Sequence, residues 1–309
     1  MTKNVDEFNL KIHNNLDEFI TECENDYFSQ LQKIADKIKE NPEKTPIILL
    51  SGPSGSGKTT TALTIEHILD NSGFETHTLS LDNYFRAITG EERELLEQGK
   101  LDLESPSRVD SDLLNTQLQK MIKCEAVMLP KYDFTAAMRV DSGRILARKH
   151  NEPVILEGIH SLNPDVIQIP DENTLKIYVS VRTRVQHNDK TVHPSYIRLL
   201  RRMMRDKLFR GRSIAETIKM YESVEIGEKN FIMPYKYRSD FDVDTFIPYE
   251  LSVYKPVLLE QLKTCQNCVI DENIQEVMNI LEVLKEIHEE KVPKTSLIRE
   301  FIGNGHFEY

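Results

Sequence analysis

Short apolar runs alternate with longer amphipathic segments over most of this 309-residue chain. The runs that predict buried strands are residues 46–50, 76–81, 153–156 and 175–181, with weaker candidates at 241–247 and 268–271. Residues 60–69, which follow a glycine-rich turn after the first run, have the character of a helix. Strands that alternate with helices predict an α/β fold, with a mostly parallel sheet and helices on both faces.

Both ends of the chain have the pattern of helical extensions. Within residues 1–43, Leu31, Ile34 and Ile38 recur at helical spacing, and Asn41-Pro42 predicts the end of that segment. Residues 272–290 predict an amphipathic helix. Its apolar face comprises Ile274, Val277, Ile280, Leu281 and Leu284. We therefore divide the chain into a helical N-terminal extension (1–43), an α/β domain (44–272) and a C-terminal helix and tail (273–309).

Composition and charge narrow the classes of partner. Hydrophobic residues make up 39% and charged residues 29%, as in ordinary globular proteins. No apolar run approaches the roughly 20 residues that cross a bilayer, and the polar N-terminus is no signal peptide. We expect a cytoplasmic protein without a membrane partner. The net charge of −11 argues against a general nucleic-acid-binding surface, so local basic clusters carry more information.

The cysteines give little sign of a metal site. Cys265 and Cys268 form a C-x-x-C pair, but a zinc site needs a second ligand pair at short spacing, and none follows. Val269 and Ile270 continue the segment as an apolar run. We therefore expect two cysteines beside a buried strand rather than a metal or redox site.

A phosphate-binding loop is the strongest motif in the chain. Residues 52–59 read Gly-Pro-Ser-Gly-Ser-Gly-Lys-Thr, which fits G-x-x-x-x-G-K-[ST] between a predicted strand and a predicted helix. Its glycines let successive main-chain N–H groups point at phosphate oxygens, and the helix adds its positive end. Lys58 would reach the β- and γ-phosphates and Thr59 would ligate Mg²⁺. The residues predicted to hold the nucleotide are Gly52, Ser54, Gly55, Ser56, Gly57, Lys58, Thr59 and Thr60.

The loop leaves the acceptor of the phosphoryl group open. Nucleotide hydrolases and switches share the same loop, and the donor is ATP or GTP. A GTPase would usually add an Asn-Lys-x-Asp guanine signature, which this sequence lacks. The loop by itself therefore predicts a nucleotide-binding protein of the P-loop class with Mg²⁺ as its cofactor.

Two carboxylates follow predicted strands of the same sheet. Asp82 comes after the strand at 76–81, and Glu157 comes after the strand at 153–156. Ligands of open parallel sheets bind beyond the carboxyl ends of the strands. A carboxylate there can hold magnesium or deprotonate an attacking hydroxyl, so Asp82 and Glu157 are metal candidates and Asp82 is the candidate base. The alternative is a solvated acid or a helix cap.

Residues 198–212 form a basic cluster around one acid, Asp206. Its members are Arg198, Arg201, Arg202, Arg205, Lys207, Arg210 and Arg212. Cations that close over a migrating phosphoryl group stabilise the charge that spreads over its oxygens. We predict that residues 198–214 form a mobile, arginine-bearing lid, referred to below as the lid segment. The alternative is a solvated basic helix face.

These motifs together resemble the uridine/cytidine kinase branch of the P-loop kinases, near the phosphoribulokinases. The resemblance covers roughly residues 46–250. Beside the loop it comprises residues 80–84 (Ser-Leu-Asp-Asn-Tyr), 130–134 (Pro-Lys-Tyr-Asp-Phe), 155–159 (Ile-Leu-Glu-Gly-Ile), and the arginines from 202 to 212. Residues 296–303 (Ser-Leu-Ile-Arg-Glu-Phe-Ile-Gly) resemble a bacterial subgroup of uridine-kinase-like proteins. The resemblance implies a three-layer P-loop NTPase fold.

The resemblance also implies roles for individual residues. Asp82 would accept the proton of a ribose 5′-hydroxyl, and Asp110 would hold the ribose hydroxyls. Glu157 would assist the magnesium. The other implied acceptor contacts are Tyr84, Tyr132, Phe134, Arg139 and Arg202. Among the lid arginines, Arg205 and Arg210 would act in catalysis, and Arg212 would contact the nucleotide.

Two positions depart from the family pattern in the presumed base pocket. Ala137 stands where the family usually has a base-contacting His or Tyr, and Met220 replaces a Gln that follows the lid. Both changes remove hydrogen-bonding groups, and a site without them discriminates poorly between bases. His160 either compensates or is a structural histidine, and the structural reading is favoured.

Three functions are consistent with these observations. The first is phosphorylation of a nucleoside 5′-hydroxyl, with a small-molecule nucleoside as partner. The second is a kinase of another small hydroxylated acceptor, such as a sugar phosphate or a vitamin precursor. The third is an ATP-binding regulatory protein with little transferase activity. A homo-oligomer is compatible with each.

Overall fold

The computed structural model describes residues 1–98, 101–265 and 268–308, and it has the predicted α/β architecture. In chain order the strands are β1 (Thr2–Asn4), β2 (Ile47–Ser51), β3 (His77–Ser80), β4 (Val127–Asp133), β5 (Met138–Leu146), β6 (Val154–Glu157), β7 (Thr174–Ser180), β8 (Arg184–His187), β9 (Lys190–Val192) and β10 (Phe241–Asp244). The helices are α1 (Val5–Glu40), α2 (Lys58–Asn71), α3 (Gly90–Glu97), α4 (Ser111–Ile122), α5 (Pro194–Phe209), α6 (Ile214–Phe231), α7 (Glu250–Thr264), α8 (Glu272–Val283) and α9 (Arg299–Ile302).

Five parallel strands form the central sheet, in the order β10-β7-β2-β6-β3. The strand that leads into the phosphate loop, β2, is therefore the middle one, with β7 and β6 as its neighbours. Along β2, Ile48 and Leu50 belong to one apolar core, and Ile47 and Leu49 belong to the other. Burial on both faces is what a continuous apolar run predicts for a parallel strand.

The two cores lie on opposite faces of the sheet. One includes apolar residues of α1, α2, α5, α7 and α8, and the other includes those of α4 and of the β4–β5 hairpin. The strands predicted at 46–50, 76–81, 153–156, 175–181 and 241–247 are confirmed as β2, β3, β6, β7 and β10, with ends shifted by at most three residues. The three-layer fold is also confirmed.

The N-terminal segment is helical, as predicted, but it also carries a strand. Helix α1 runs from Val5 to Glu40 with a break in helical geometry at Asn15. The hydroxyl of Tyr27 in this helix forms a hydrogen bond with the hydroxyl of Thr61 in α2. The preceding β1 pairs in parallel with β8, which pairs with β9 in a second, three-stranded sheet. The third sheet is the antiparallel hairpin β4–β5, which lies over the carboxyl end of β3.

Three predictions near the C-terminus are wrong. Helix α8 ends at Val283 rather than at residue 290, and residues 268–271 form no strand. Val269 is 77% exposed and Ile270 is 37% exposed, so these two apolar residues are not packed in a core. The expectation of two cysteines beside a buried strand also fails, because Cys265 and Cys268 are joined in a disulfide and no strand follows them in the described part of the chain. Among the described residues, no helix is both long and apolar enough to cross a membrane.

Candidate functional site

The phosphate loop connects the carboxyl end of β2 to the start of α2. Gly52 packs so tightly on β7 that a Cβ there would lie 2.0 Å from the carbonyl oxygen of Val179. Gly55 and Gly57 have φ angles of 75° and 84°, in the left-handed region that favours glycine. Helix α2 begins directly afterwards at Lys58, whose Nζ donates to the Pro53 carbonyl oxygen at 3.2 Å.

Three arginines of α5 hold the loop from outside. Arg198 donates to the main-chain oxygen of Ser54 at 3.1 Å, and Arg201 donates to that of Gly55 at 3.2 Å. Arg202 donates to the Ser54 hydroxyl. These contacts hold the loop through its carbonyl oxygens and the Ser54 hydroxyl rather than through its N–H groups.

The first half of the lid segment is therefore part of the core. Arg198 is buried and pairs with Glu228 at 2.6 Å, and Arg201 is fully buried and pairs with Glu250 at 2.7 Å. The prediction of a mobile lid over residues 198–214 is therefore wrong for its first part, because Arg198, Arg201 and Arg202 have partners inside the protein. Exposed side chains, which a closing lid requires, begin only at Lys207 in this segment.

The remaining lid arginines gather around one buried acid. Asp206 is fully buried, and the side chains of Arg205, Arg210 and Arg212 approach its carboxylate at 3.9, 3.2 and 3.7 Å. One carboxylate cannot neutralise three guanidinium groups, so the cluster keeps an excess of positive charge. That excess faces the loop and favours anions.

Asp82 and Glu157 lie together beyond the ends of β3 and β6. Ser80, the last residue of β3, is opposite Glu157 in the sheet register, and Asp82 follows in the next turn. Burial raises the pKa of Asp82, although Lys58, Arg210 and Arg205 oppose the rise. Burial and the neighbouring Asp82 raise the pKa of Glu157 to about 7, against the opposing charge of Lys58. The predicted base, the predicted metal carboxylate and the loop lysine therefore share one site.

The pKa of Glu157 has a testable consequence for stability. A folded-state pKa above the ordinary carboxyl value means that the folded state holds its proton longer, so stability falls as pH rises from about 4.5 to about 7. Glu157→Gln removes this penalty. We expect its gain in unfolding free energy to be about 2–3 kcal/mol larger at pH 8 than at pH 5.

The measurement is urea unfolding at both pH values, with EDTA and without nucleotide, because a bound cation would favour the ionised carboxylate. The exposed Glu172→Gln is the control and should show no such difference. Equal effects of Glu157→Gln at both pH values would contradict the assigned environment.

Glu104 is a functional candidate that the sequence reasoning missed. Its side chain lies against α6, where Gly227 leaves room: a Cβ at Gly227 would be 2.4 Å from the Glu104 Cβ. Burial raises its pKa, while Arg202 and Lys58 oppose the rise. Its Oε2 is buried without a hydrogen-bond partner. A buried acid that faces these cations and lacks a partner is suited to a ligand hydroxyl. The sequence feature that could have indicated Glu104 is its position directly before Ser105-Pro106, in the segment that also contains Asp110.

The acid assigned to the ribose hydroxyls, Asp110, has other partners. One oxygen caps α4 by accepting from the Leu113 N–H at 3.2 Å, and the other pairs with Arg139 at 2.9 Å. These contacts keep the pKa of Asp110 low even though burial opposes the effect. Arg139 and Asp110 thus neutralise each other, and neither is left unpaired for a ligand.

The aromatic residues of the acceptor segment divide into two groups. Tyr132 is buried and packs edge-on against Phe85 and Phe134, and Phe134 is 67% exposed. These rings form a surface on which a flat ligand can stack. Tyr84 does not join them: it is 1% exposed and its hydroxyl donates to Gln117 at 2.8 Å. Its assignment to the acceptor site is corrected, because the side chain faces the core.

Ala137 and Met220, which depart from the family pattern, supply no hydrogen-bonding side chain to the presumed base pocket. Ala137 lies in the β4–β5 turn with a φ of 52°, and Met220 is a half-buried residue of α6. His160 is buried with its ring edge-on to Phe231 at 6.5 Å, and burial lowers its pKa to about 4. It is therefore neutral at pH 7, and both of its ring nitrogens are buried without a hydrogen-bond partner.

The oxygen donors beside the loop fit magnesium. Thr59 lies in the first turn of α2, and Asp82 and Glu157 supply carboxylates. Magnesium prefers oxygen ligands and is usually held by one or two carboxylates together with phosphates and water. Within the described part of the chain, no group of three or more His, Cys, Asp or Glu side chains could hold a metal without such help.

Comparison with known proteins gives a consistent picture. The sequence profile of the Phosphoribulokinase / Uridine kinase family matches residues 47–248. A Lactobacillus johnsonii protein named uridine kinase is 33% identical over 207 residues, which cover 65% of this chain and 87% of that relative. A Staphylococcus haemolyticus protein of the same name is 34% identical, covering 63% of this chain and 86% of the relative.

Among solved structures, YFH7 from Saccharomyces cerevisiae superposes with a TM-score of 0.51 at 13% identity, covering 69% of this chain and 98% of that one. A likeness at this level of identity concerns the fold alone. The family match includes the phosphate loop, Asp82, Glu157 and the lid segment. It excludes Glu250, which pairs with the loop-holding Arg201, and residues 296–303, which contact the loop region directly.

Proposed function

Because this chain belongs to the Phosphoribulokinase / Uridine kinase family, we propose that it transfers the γ-phosphoryl group of ATP to the 5′-hydroxyl of a nucleoside. The observation that supports this most is the meeting of Lys58, Asp82 and Glu157 at the carboxyl ends of β2, β3 and β6. Fold alone would not indicate a reaction, whereas a loop lysine facing two acids does.

The transfer takes place in one in-line step. The acceptor oxygen forms a bond to the γ-phosphorus while the bond from that phosphorus to the β–γ bridging oxygen breaks, releasing ADP. The acceptor proton passes to the carboxylate of Asp82. Lys58, Arg205 and Arg210 supply positive charge where it develops on the transferred group. Magnesium, when bound through Thr59 and Glu157, neutralises phosphate charge.

On the acceptor side we propose Glu104 as the acid that binds the sugar hydroxyls. It has the buried, unpartnered oxygen that such a contact needs, whereas both oxygens of Asp110 already accept hydrogen bonds. The aromatic surface of Tyr132 and Phe134 would receive the base by stacking. Arg202 lies near Glu104 and would orient its carboxylate.

A second candidate is a kinase of another small hydroxylated acceptor, such as a sugar phosphate or a vitamin precursor. Ala137 and Met220 favour it, because neither side chain can hydrogen-bond the polar edge of a base. The excess positive charge around Asp206 would also suit an anionic acceptor.

The deciding experiment measures ADP release with ATP or GTP against nucleosides, sugar phosphates and pantothenate. We expect uridine or cytidine to be the best acceptors. Glu104→Gln should raise the acceptor KM at least about tenfold with little change in the KM for ATP, because a hydrogen bond to a charged group is lost. The control is the exposed Glu125→Gln.

Turnover of sugar phosphates alone would favour the second candidate. ATP binding without acceptor-dependent ADP release across the panel would favour a regulatory protein. An unchanged acceptor KM in Glu104→Gln would contradict the role of Glu104.

A further inference from the structure

The C-terminal segment (residues 296–303) packs directly on the phosphate loop. A Cβ at Gly57 would lie only 2.6 Å from a methyl group of Leu297. The Phe301 ring lies 5.2 Å from the guanidinium of Arg201, the residue that holds the Gly55 carbonyl. Leu297 and Phe301 are both fully buried. The segment is therefore anchored by apolar contacts beside the first turn of α2.

Within this segment, Glu300 points its carboxylate at that first turn. One oxygen accepts from the Thr60 hydroxyl at 2.6 Å and lies 3.4 Å from the Thr60 main-chain nitrogen. The other oxygen lies 3.9 Å from the Arg205 guanidinium. The Glu300 side chain is 9% exposed, so water screens these charges poorly.

The contacted donors belong to the anion site of the loop. The N–H groups in the first turn of a helix lack partners inside the helix, and the positive end of the helix dipole lies there. A phosphate-binding loop uses these same donors for the nucleotide phosphates. A carboxylate resembles a phosphate in charge sign and in accepting N–H and O–H donors.

We propose that the C-terminal segment is an internal competitor of the donor nucleotide. Glu300 occupies donors of Thr60 that a nucleotide phosphate takes, so the segment has to move before the nucleotide is fully seated. Arg205 is engaged in the same contact, which holds one predicted catalytic cation until the nucleotide arrives. This inference rests on the proposed donor site in residues 52–60.

If Glu300 had a purely structural role, removing it would change the affinity for ATP in the opposite direction. Gly57, the residue before α2, has no side chain to cap the helix, and Glu300 would supply the missing cap. Removing a cap loosens the loop and weakens nucleotide binding. Removing a competitor strengthens it.

The test is calorimetric titration of the full chain with ATP, for the wild type and for Glu300→Ala, Glu300→Gln and Glu308→Ala. Glu308 is an exposed acid near Glu300 and serves as the matched control. We expect the Kd for ATP to fall about fivefold to tenfold in Glu300→Ala, to fall less in Glu300→Gln, and to stay constant in Glu308→Ala. Unchanged or weaker binding in both Glu300 variants would overturn the proposal.

Hydrogen exchange on the wild type adds a readout that needs no variant. Saturation with ATP should increase exchange at residues 296–303, and increased protection there would count against the proposal. Lys58→Ala separates this inference from the function itself. If Lys58→Ala leaves ATP affinity unchanged, the donor site is wrong; if it abolishes binding while Glu300→Ala gives no gain, only the competitor role fails.

Discussion

Asp82→Asn should lower turnover by about 10²- to 10⁴-fold while the affinity for ATP stays within about threefold. The amide cannot accept the proton of the acceptor hydroxyl, so the step loses its base. Asn is nearly the same size as Asp and preserves the turn after β3. Asp82 lies among Lys58, Arg205 and Arg210, which would position it toward the reacting oxygen.

Steady-state kinetics with the best acceptor and calorimetry with ATP measure the two quantities separately. The exposed Asp189→Asn, far from the loop in sequence, should behave as the wild type. Turnover near the wild-type rate in Asp82→Asn would exclude Asp82 as the base. A large loss of ATP affinity would instead indicate that Asp82 acts chiefly through the metal.

Glu250→Gln should lower the free energy of unfolding by about 3–5 kcal/mol, the largest effect on stability that we expect. Both Glu250 and Arg201 are fully buried, and two parallel contacts at 2.7 and 2.9 Å join them. Removing the carboxylate charge leaves the Arg201 guanidinium uncompensated in a medium that solvates it poorly.

The Glu250–Arg201 pair also holds the phosphate loop in place. Arg201 also donates to the main-chain oxygens of Gly55 and Thr245, and the Thr245 hydroxyl donates to the Ser56 carbonyl oxygen at 2.7 Å. The loop is thus tied to the residues after β10 and to the start of α7. We expect ATP affinity to fall together with stability in Glu250→Gln.

Urea unfolding of Glu250→Gln, Arg201→Met and the double variant measures the coupling of the pair. The double variant should recover part of the loss, because it leaves no unpaired charge. Glu282→Gln breaks the exposed pair with Lys263 and should cost less than about 1 kcal/mol. If Glu250→Gln also cost less than about 1 kcal/mol, that result would contradict the role assigned to the buried pair.

The sequence by itself determined the parts of the protein that depend on neighbouring residues. Strand β2 is a continuous apolar run, the loop needs glycines at fixed spacing, and α2 follows at once. Local geometry decides each of these features, so spacing along the chain was sufficient to predict them. Asp82 and Glu157 could be placed together because parallel strands bring their carboxyl ends to one edge.

Assignments made from residue type alone were less successful. Arg198, Arg201 and Arg205 have the same chemistry in the sequence, yet the first two form close ion pairs at 2.6 and 2.7 Å, whereas Arg205 approaches its acids only at 3.9 Å. Tyr84 lies in a matched segment but faces the core. Which face of an element a side chain occupies depends on what packs against it, and the sequence does not state this.

Only the tertiary structure decided which distant residues complete the site. Glu300 and Thr60 are 240 positions apart, and Arg201 and Gly55 are 146 apart. Glu104 can pack against α6 because Gly227 leaves space for its side chain. Local propensity and periodicity act over a few residues, whereas these contacts arise when the layers close around the sheet and bury charges that then need partners.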